Sequence, residues 1–100
     1  MIQDVTTYTV KMGTHAAVIQ WLKRAAEYHK AQGRTFRILS PVNGITAKVI
    51  IQTEYESLQD MSEVYRDFWQ SDAWKTMDKE PWQEWFVEAG SYRHQYSIVE

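Results

Sequence analysis

The chain has 100 residues, of which 44% are hydrophobic and 24% charged, a composition that supports a folded core and excludes a disordered segment. Eleven Lys and Arg against thirteen Asp and Glu give a net charge of −2, and the cations are scattered, so the basic footprint of a nucleic-acid binder is missing. With no cysteine in the chain, disulfides, thiol nucleophiles and thiolate metal sites are excluded.

The opening "MIQDVTTYTVKMG" has neither the basic nor the apolar region of a signal peptide, and no apolar run approaches the ~18 residues of a membrane span. The expectation is one soluble, cytoplasmic domain over residues 1–100. Within it, the β-branched and aromatic stretch Val5 to Lys11 reads as a strand. Gly13 breaks it, and Thr14 can cap a helix whose apolar stripe is Val18, Trp21, Leu22 and Ala25, with Gly33 as its stop. "RTFRILSPV" and "ITAKVIIQTEY" read as two strands around the turn-forming pair Asn43 and Gly44. Ser57 and Asp60 resemble a capping box ahead of a helix striped by Leu58, Met61, Tyr65 and Phe68. Ser71 and Asp72 can cap a short helix, Pro81 suits the first turn of a further one ended by Gly90, and "SYRHQYSIV" closes the chain as a strand. The order βαββα(α)β predicts an α+β fold: a ferredoxin-like βαββαβ antiparallel sheet with helices on one face.

Period-two alternation sorts the strand side chains. Tyr8, Val10, Phe36, Ile38, Ala47, Val49, Ile51, Tyr92, His94, Tyr96 and Ile98 are assigned to the helix-covered face. Val5, Thr7, Thr9, Lys11, Arg37, Leu39, Lys48, Ile50, Gln52, Glu54, Arg93, Gln95 and Val99 fall on the other. That second face is neither properly apolar nor properly polar. It is either the bare face of a monomer or, as we favour, an isologous contact with a second copy, in which carboxylates such as Glu54 and Glu100 would pair the cations.

The stretch "ILSPVNGITAKVIIQTEYESLQDM", then "DAWKTM", then "YRHQYSIVE" resembles NIPSNAP-like members of the dimeric α+β barrel superfamily. The resemblance covers nearly the whole chain and rests on loose motifs. It implies a homodimer in which two sheets face each other as a dimeric α+β barrel with the helices outside. The chemistries it implies are diverse: cofactor-free monooxygenases, haem-degrading enzymes, isomerase-like and lactone-forming enzymes, and members with no assigned activity. The haem-degrading pattern, an Asn on the first strand with helical Trp and His, is absent, because the sole Asn is Asn43.

His94 has Tyr92 and Tyr96 as same-face neighbours, an arrangement suited to a general base with phenol partners, or to a core histidine satisfied by a hydroxyl. His29 points from the first helix towards the sheet. The blander role for it is a group favoured near a helix C-terminus. No Glu-x-x-His or His-x-x-x-His spacing suggests a metal site, and neither metal nor cofactor is expected. Glu80, Glu84 and Glu88 read as a solvated helical stripe. Four of the five tryptophans lie between Trp69 and Trp85, where packing is the commoner explanation and an aromatic ligand box the sharper one.

Two function classes follow: a cofactor-independent oxygenase or isomerase acting on a small aromatic or polyketide-like molecule, and a non-catalytic ligand-binding or protein-interaction module. The expected site lies between sheet and helices. His94, Tyr8 and Tyr96 are its catalytic candidates, and His29, Phe36 and Trp74 its ligand-binding ones. The "SDAWKTMDKEP" segment, interrupted by Pro81, would be its movable cover.

Overall fold

A computed structural model of the chain describes residues 1–42 and 47–99; the Asn43 and Gly44 turn and Glu100 lie outside the described residues. Four strands, β1 (Ile2–Thr9), β2 (Phe36–Leu39), β3 (Lys48–Tyr55) and β4 (Tyr92–Ser97), form one antiparallel sheet in the order β2-β3-β1-β4. Three helices, α1 (His15–Ala31), α2 (Leu58–Trp69) and α3 (Asp72–Met77), lie on one side, giving the ferredoxin-like α+β architecture.

Local chemistry explains most boundaries. Ser57 Oγ accepts from the Asp60 amide at 3.0 Å, and Ser71 Oγ from the Trp74 amide at 3.2 Å, so α2 and α3 start on side-chain caps. Thr14 precedes α1 without capping it, because its hydroxyl instead donates to the Lys11 carbonyl at 2.7 Å. Gly33, at φ +80°, ends α1 in the left-handed region that glycine tolerates best. From α1, Val18, Trp21, Leu22, Ala25 and Ala26 pack onto Val10, Phe36, Val49 and Ile51 of the sheet, with Phe68 and Met77 closing the core.

Two expectations are corrected. The residues after Pro81 do not form a helix bearing a Glu80, Glu84 and Glu88 stripe. They make a 3-10 turn (Trp82–Glu84) and then a non-helical strap bridged to Val10 at Phe86. The strap's Val87 amide donates to the Thr9 carbonyl at 2.9 Å, and the Lys11 amide to the Trp85 carbonyl at 2.8 Å. The strap thus takes backbone groups at the end of β1 that β4 does not reach, an outcome driven by the cost of leaving buried peptide groups unpaired.

The second correction is the parity of β4. Asp4 lies opposite Gln95, Val5 opposite His94, Thr6 opposite Arg93 and Thr7 opposite Tyr92. Directly opposed residues share a face, so Arg93 and Gln95 look towards the helices, while Tyr92, His94 and Tyr96 stand on the open face with Val5 and Thr7. Arg93 therefore also leaves the group of cations that a carboxylate on the open face would have to pair.

The strap's fit is tight at one point. A Cβ on Gly90 would meet Thr9 Cβ at 2.9 Å and Val87 Cβ at 3.1 Å. Gly90→Ala should therefore cost about 1–3 kcal/mol by overpacking, read as a lowered Tm in thermal unfolding. An unchanged Tm would show that the strap is not seated on β1.

Candidate functional site

The polar centre of the helix-facing side is Asp4, a carboxylate whose side chain is only 2% exposed. Its Oδ1 accepts from Arg93 Nε at 2.8 Å and from Gln95 Nε2 at 2.8 Å, and its Oδ2 accepts from the Tyr65 hydroxyl. A charge so placed would be prohibitive alone, and it is tolerated here because both oxygens are occupied and the cation is adjacent. The Arg93 guanidinium also lies over the Tyr65 ring, 4.3 Å from its centroid.

Beside this cluster, between the sheet and the helices, is a largely apolar cavity of about 100 Å³. Its floor is Asp4, Thr6 and Tyr8 of β1, Phe36 of β2, and Ile51, Thr53 and Tyr55 of β3. Its roof comes from Trp21, Leu22, Ala25 and His29 of α1, and Tyr65, Phe68, Trp69, Trp74 and Met77 of α2 and α3. Tyr8 and Trp69 also border two more open grooves, one reaching Arg93 and Met61, the other running under Trp82 and Phe86. Trp69 is 51% exposed and meets Trp74 edge-on with ring centroids 4.5 Å apart, so the pair forms the rim.

The tryptophan segment is mostly packing. Trp21 is its hub: it stacks on Trp82 at 5.6 Å, meets Trp74, Trp85 and Phe86 edge-on, and donates from Nε1 to the Met77 carbonyl at 2.9 Å. Trp69 and Trp74 face the cavity as well.

Of the residues expected to line a site, the structure brings Tyr8, His29, Phe36 and Trp74 around this one cavity. It does not bring His94 and Tyr96 there. They lie on the opposite face of the sheet, exposed, which separates them within the chain from the other four. Sequence reasoning missed Asp4, Thr53, Tyr65 and Arg93. The available signal was an Asp at the same strand parity as Tyr8 and Val10, a position that demands a cation or donors from neighbouring strands. Among the described residues, no group of three or more His, Asp or Glu converges as metal ligands.

The ionisable groups are set mainly as hydrogen-bond donors. Burial raises the Tyr8 and Tyr55 phenols above their ordinary range, and burial together with the bond to Asp4 raises Tyr65, so all three keep their protons near neutrality. His29 is 3% exposed and stacks on Phe36, with centroids 5.0 Å apart and planes 10° from parallel. Burial, and then the Arg34 cation, lower its pKa to about 4. Its Nδ1 accepts from Arg34 Nε at 3.2 Å, which places the single proton of the neutral ring on Nε2.

That depressed value has a consequence for stability. Between about pH 6.5 and 4 the unfolded chain takes up a proton at His29 that the folded chain refuses, so stability is full above pH 6.5 and falls as the pH drops towards 4. At ~1.4 kcal/mol per unit the loss amounts to about 2–3 kcal/mol. Denaturant unfolding at pH 7 and at pH 4.5 should show that part of the acid sensitivity disappearing in His29→Gln. An identical pH dependence in variant and parent would contradict it.

Comparison with known proteins agrees with this architecture. The NIPSNAP family profile matches residues 3–96. Protein Atu4242 from Agrobacterium tumefaciens superimposes with a TM-score of 0.83 at 14% identity, covering 99% of this chain and 94% of that one. An uncharacterised NIPSNAP-like domain protein from Burkholderia xenovorans gives a TM-score of 0.81 at 13% identity, covering 98% and 84%. A protein from Nitrosomonas europaea, provisionally named an antibiotic biosynthesis monooxygenase, gives 0.78 at 14% identity and covers 100% of both chains. At such identities the likeness speaks for the fold alone. No curated protein matches the chain by sequence. A family match over nearly its whole length, on the fold just described, makes this chain a member of the NIPSNAP family.

Proposed function

We propose that each subunit binds a small, planar, mostly apolar molecule in the cavity between sheet and helices. The observation that carries this reading is a partly open, largely apolar space with hydroxyl-bearing walls and an aromatic rim at Trp69 and Trp74. Large rings supply contact area, and Tyr8 supplies an orienting hydroxyl.

The enzymatic version is a cofactor-independent oxygenase or isomerase acting on an aromatic or polyketide-like compound. The name carried by the Nitrosomonas europaea protein agrees with its oxygenase branch. His94 does not serve it, because it faces away from the cavity. His29 does not serve as base either: Arg34 occupies its Nδ1 lone pair, and Nε2 carries the proton. The remaining acceptor is Asp4, reached through the Tyr65 hydroxyl that hydrogen-bonds to it. In an enzyme this pair would take the substrate proton, and Tyr65→Phe would abolish turnover while leaving binding. In a pure binding module Tyr65→Phe would change neither.

The open sheet face fits association with a second copy. It carries Val5 and Ile50 with the exposed Leu39, Tyr92 and Tyr96, the two tyrosines 53% and 52% exposed. A two-fold contact there would bury these rings and place His94 between subunits.

Ala25 provides the test of the binding reading, since its small side chain is part of the cavity wall. Ala25→Leu should fill the space, raise stability by about 0.5–2 kcal/mol, and abolish the quenching of tryptophan fluorescence by planar probes such as 1-naphthol. A loss of stability from overpacking, with no probe binding to the parent, would mean a packed interior.

A further inference from the structure

Only part of the Arg93 guanidinium is engaged by the fold. Its Nε donates to Asp4 Oδ1 at 2.8 Å, and one face of the group lies over the Tyr65 ring. Nη2 meets the Met61 thioether at 3.3 Å, a weak acceptor, and Nη1 has no partner among the described residues. A guanidinium presents five N–H donors in a planar fork, so the edge formed by Nη1 and Nη2 is left for another acceptor. The side chain is 39% exposed and lines an open groove of about 440 Å³.

This groove runs between β1 and α2. Thr6 and Tyr8 form its floor beside Arg93, which stands directly opposite Thr6 on β4. Met61, Tyr65 and Trp69, at four-residue intervals on α2, present one helical face as its wall. Thr6, Tyr8, Tyr65 and Trp69 also border the apolar cavity, so groove and cavity share one rim. The cavity, about 100 Å³, is smaller than the ~150 Å³ that takes one benzene. Any larger molecule therefore continues across the shared rim, and on this side it comes to Arg93. Among the described residues no Asp or Glu lines the groove, and Arg93 is its one charged side chain. Asp4 lies behind the guanidinium, on the Nε side and 2% exposed, so an oxyanion at the outer edge meets the cation first.

We propose that the ligand is an amphipathic acid, with an apolar ring in the cavity and a carboxylate end-on against Nη1 and Nη2 of Arg93. This deepens the binding reading above and rests on it. A planar carboxylate matches the fork with two charged acceptors, whereas an amide of the same shape offers one neutral acceptor and a donor that the cation repels. The substrate class is an aromatic or polyketide-like carboxylic acid rather than its neutral counterpart.

2-Naphthoate and 2-naphthamide have nearly the same shape and differ in charge, and 1-naphthol serves as the neutral control for binding itself. Calorimetric titration gives the ratio of amide Kd to acid Kd. A charge-assisted hydrogen bond at a part-exposed cation predicts that the acid binds the parent about 3- to 30-fold more tightly. Arg93→Lys keeps a cation for Asp4 and removes the fork, so the ratio should fall at least about 3-fold. Ser62→Glu changes an exposed helical position on the groove wall and brings in a carboxylate that competes for Arg93. It should lower the ratio to about 1 or less. This variant leaves the Asp4 cluster intact, so it decides the matter even where Arg93→Lys fails to fold. Equal Kd values for acid and amide on the parent, or an acid preference unchanged in Ser62→Glu, overturn this inference and leave the binding reading standing on 1-naphthol. Failure of all three probes to bind the parent overturns the binding reading and this inference with it.

Discussion

The structure hinges on a buried carboxylate. Asp4 stands in the middle of β1 on the face that the helices cover, where an unpaired charge would cost more than a small domain can spare. Its three donors come from two elements far along the chain: Arg93 and Gln95 on β4, and Tyr65 on α2. Satisfying them fixes the register of β4 and ties α2 down over that edge of the sheet. The choice between the two faces of β4 follows directly. With Arg93 and Gln95 drawn inwards, Tyr92, His94 and Tyr96 must stand outside, although rings are ordinarily the better core residues. Here electrostatics outweighs apolar burial, because an exposed tyrosine forgoes ~2 kcal/mol, and an abandoned buried carboxylate costs several.

The second determinant is volume. Ala25 and Ala26 leave α1 thin where it crosses the sheet, and the large rings of Trp21, Trp74 and Phe68 close the layer around the gap without filling it. The strap after Pro81 completes that layer with side chains rather than with a helix, its Trp82, Trp85 and Phe86 converging on Trp21 or, for Phe86, also on Tyr8 at 5.1 Å. A helical segment would have filled its own hydrogen bonds and left those at the end of β1 open. The strap satisfies both, and Gly90 lets it approach closely enough.

Most of the fold was legible in the sequence, and for physical reasons. The alternation in "VTTYTVK" and "AKVIIQTEY", the 3.6-residue stripe of α1 and the Ser57 and Ser71 caps are local signals, and the structure keeps each element. Two readings failed where local signals conflicted with distant ones. Period two sorts Tyr92, His94 and Tyr96 together, yet it cannot say which face they take; that depended on Asp4, ninety residues away. Pro81 and the ring spacing at 82, 85 and 86 suit a helix, and the competing pull came from unpaired peptide groups at the other end of the chain. The site was half legible for the same reason. Tyr8, His29, Phe36 and Trp74 follow from helix and strand geometry, whereas the Asp4, Arg93 and Tyr65 cluster is a tertiary fact.

Since the interior, the cavity floor and the open face all follow from how β4 pairs with β1, that register is the quantity to measure. Cross-strand nuclear Overhauser effects between backbone protons report it directly in solution. The register observed here gives effects pairing Asp4 with Gln95 and Thr6 with Arg93. A pattern shifted by one residue, with His94 opposite Asp4 or Thr6, would return the histidine to the helix-facing side and rule out a β4 register set by Asp4.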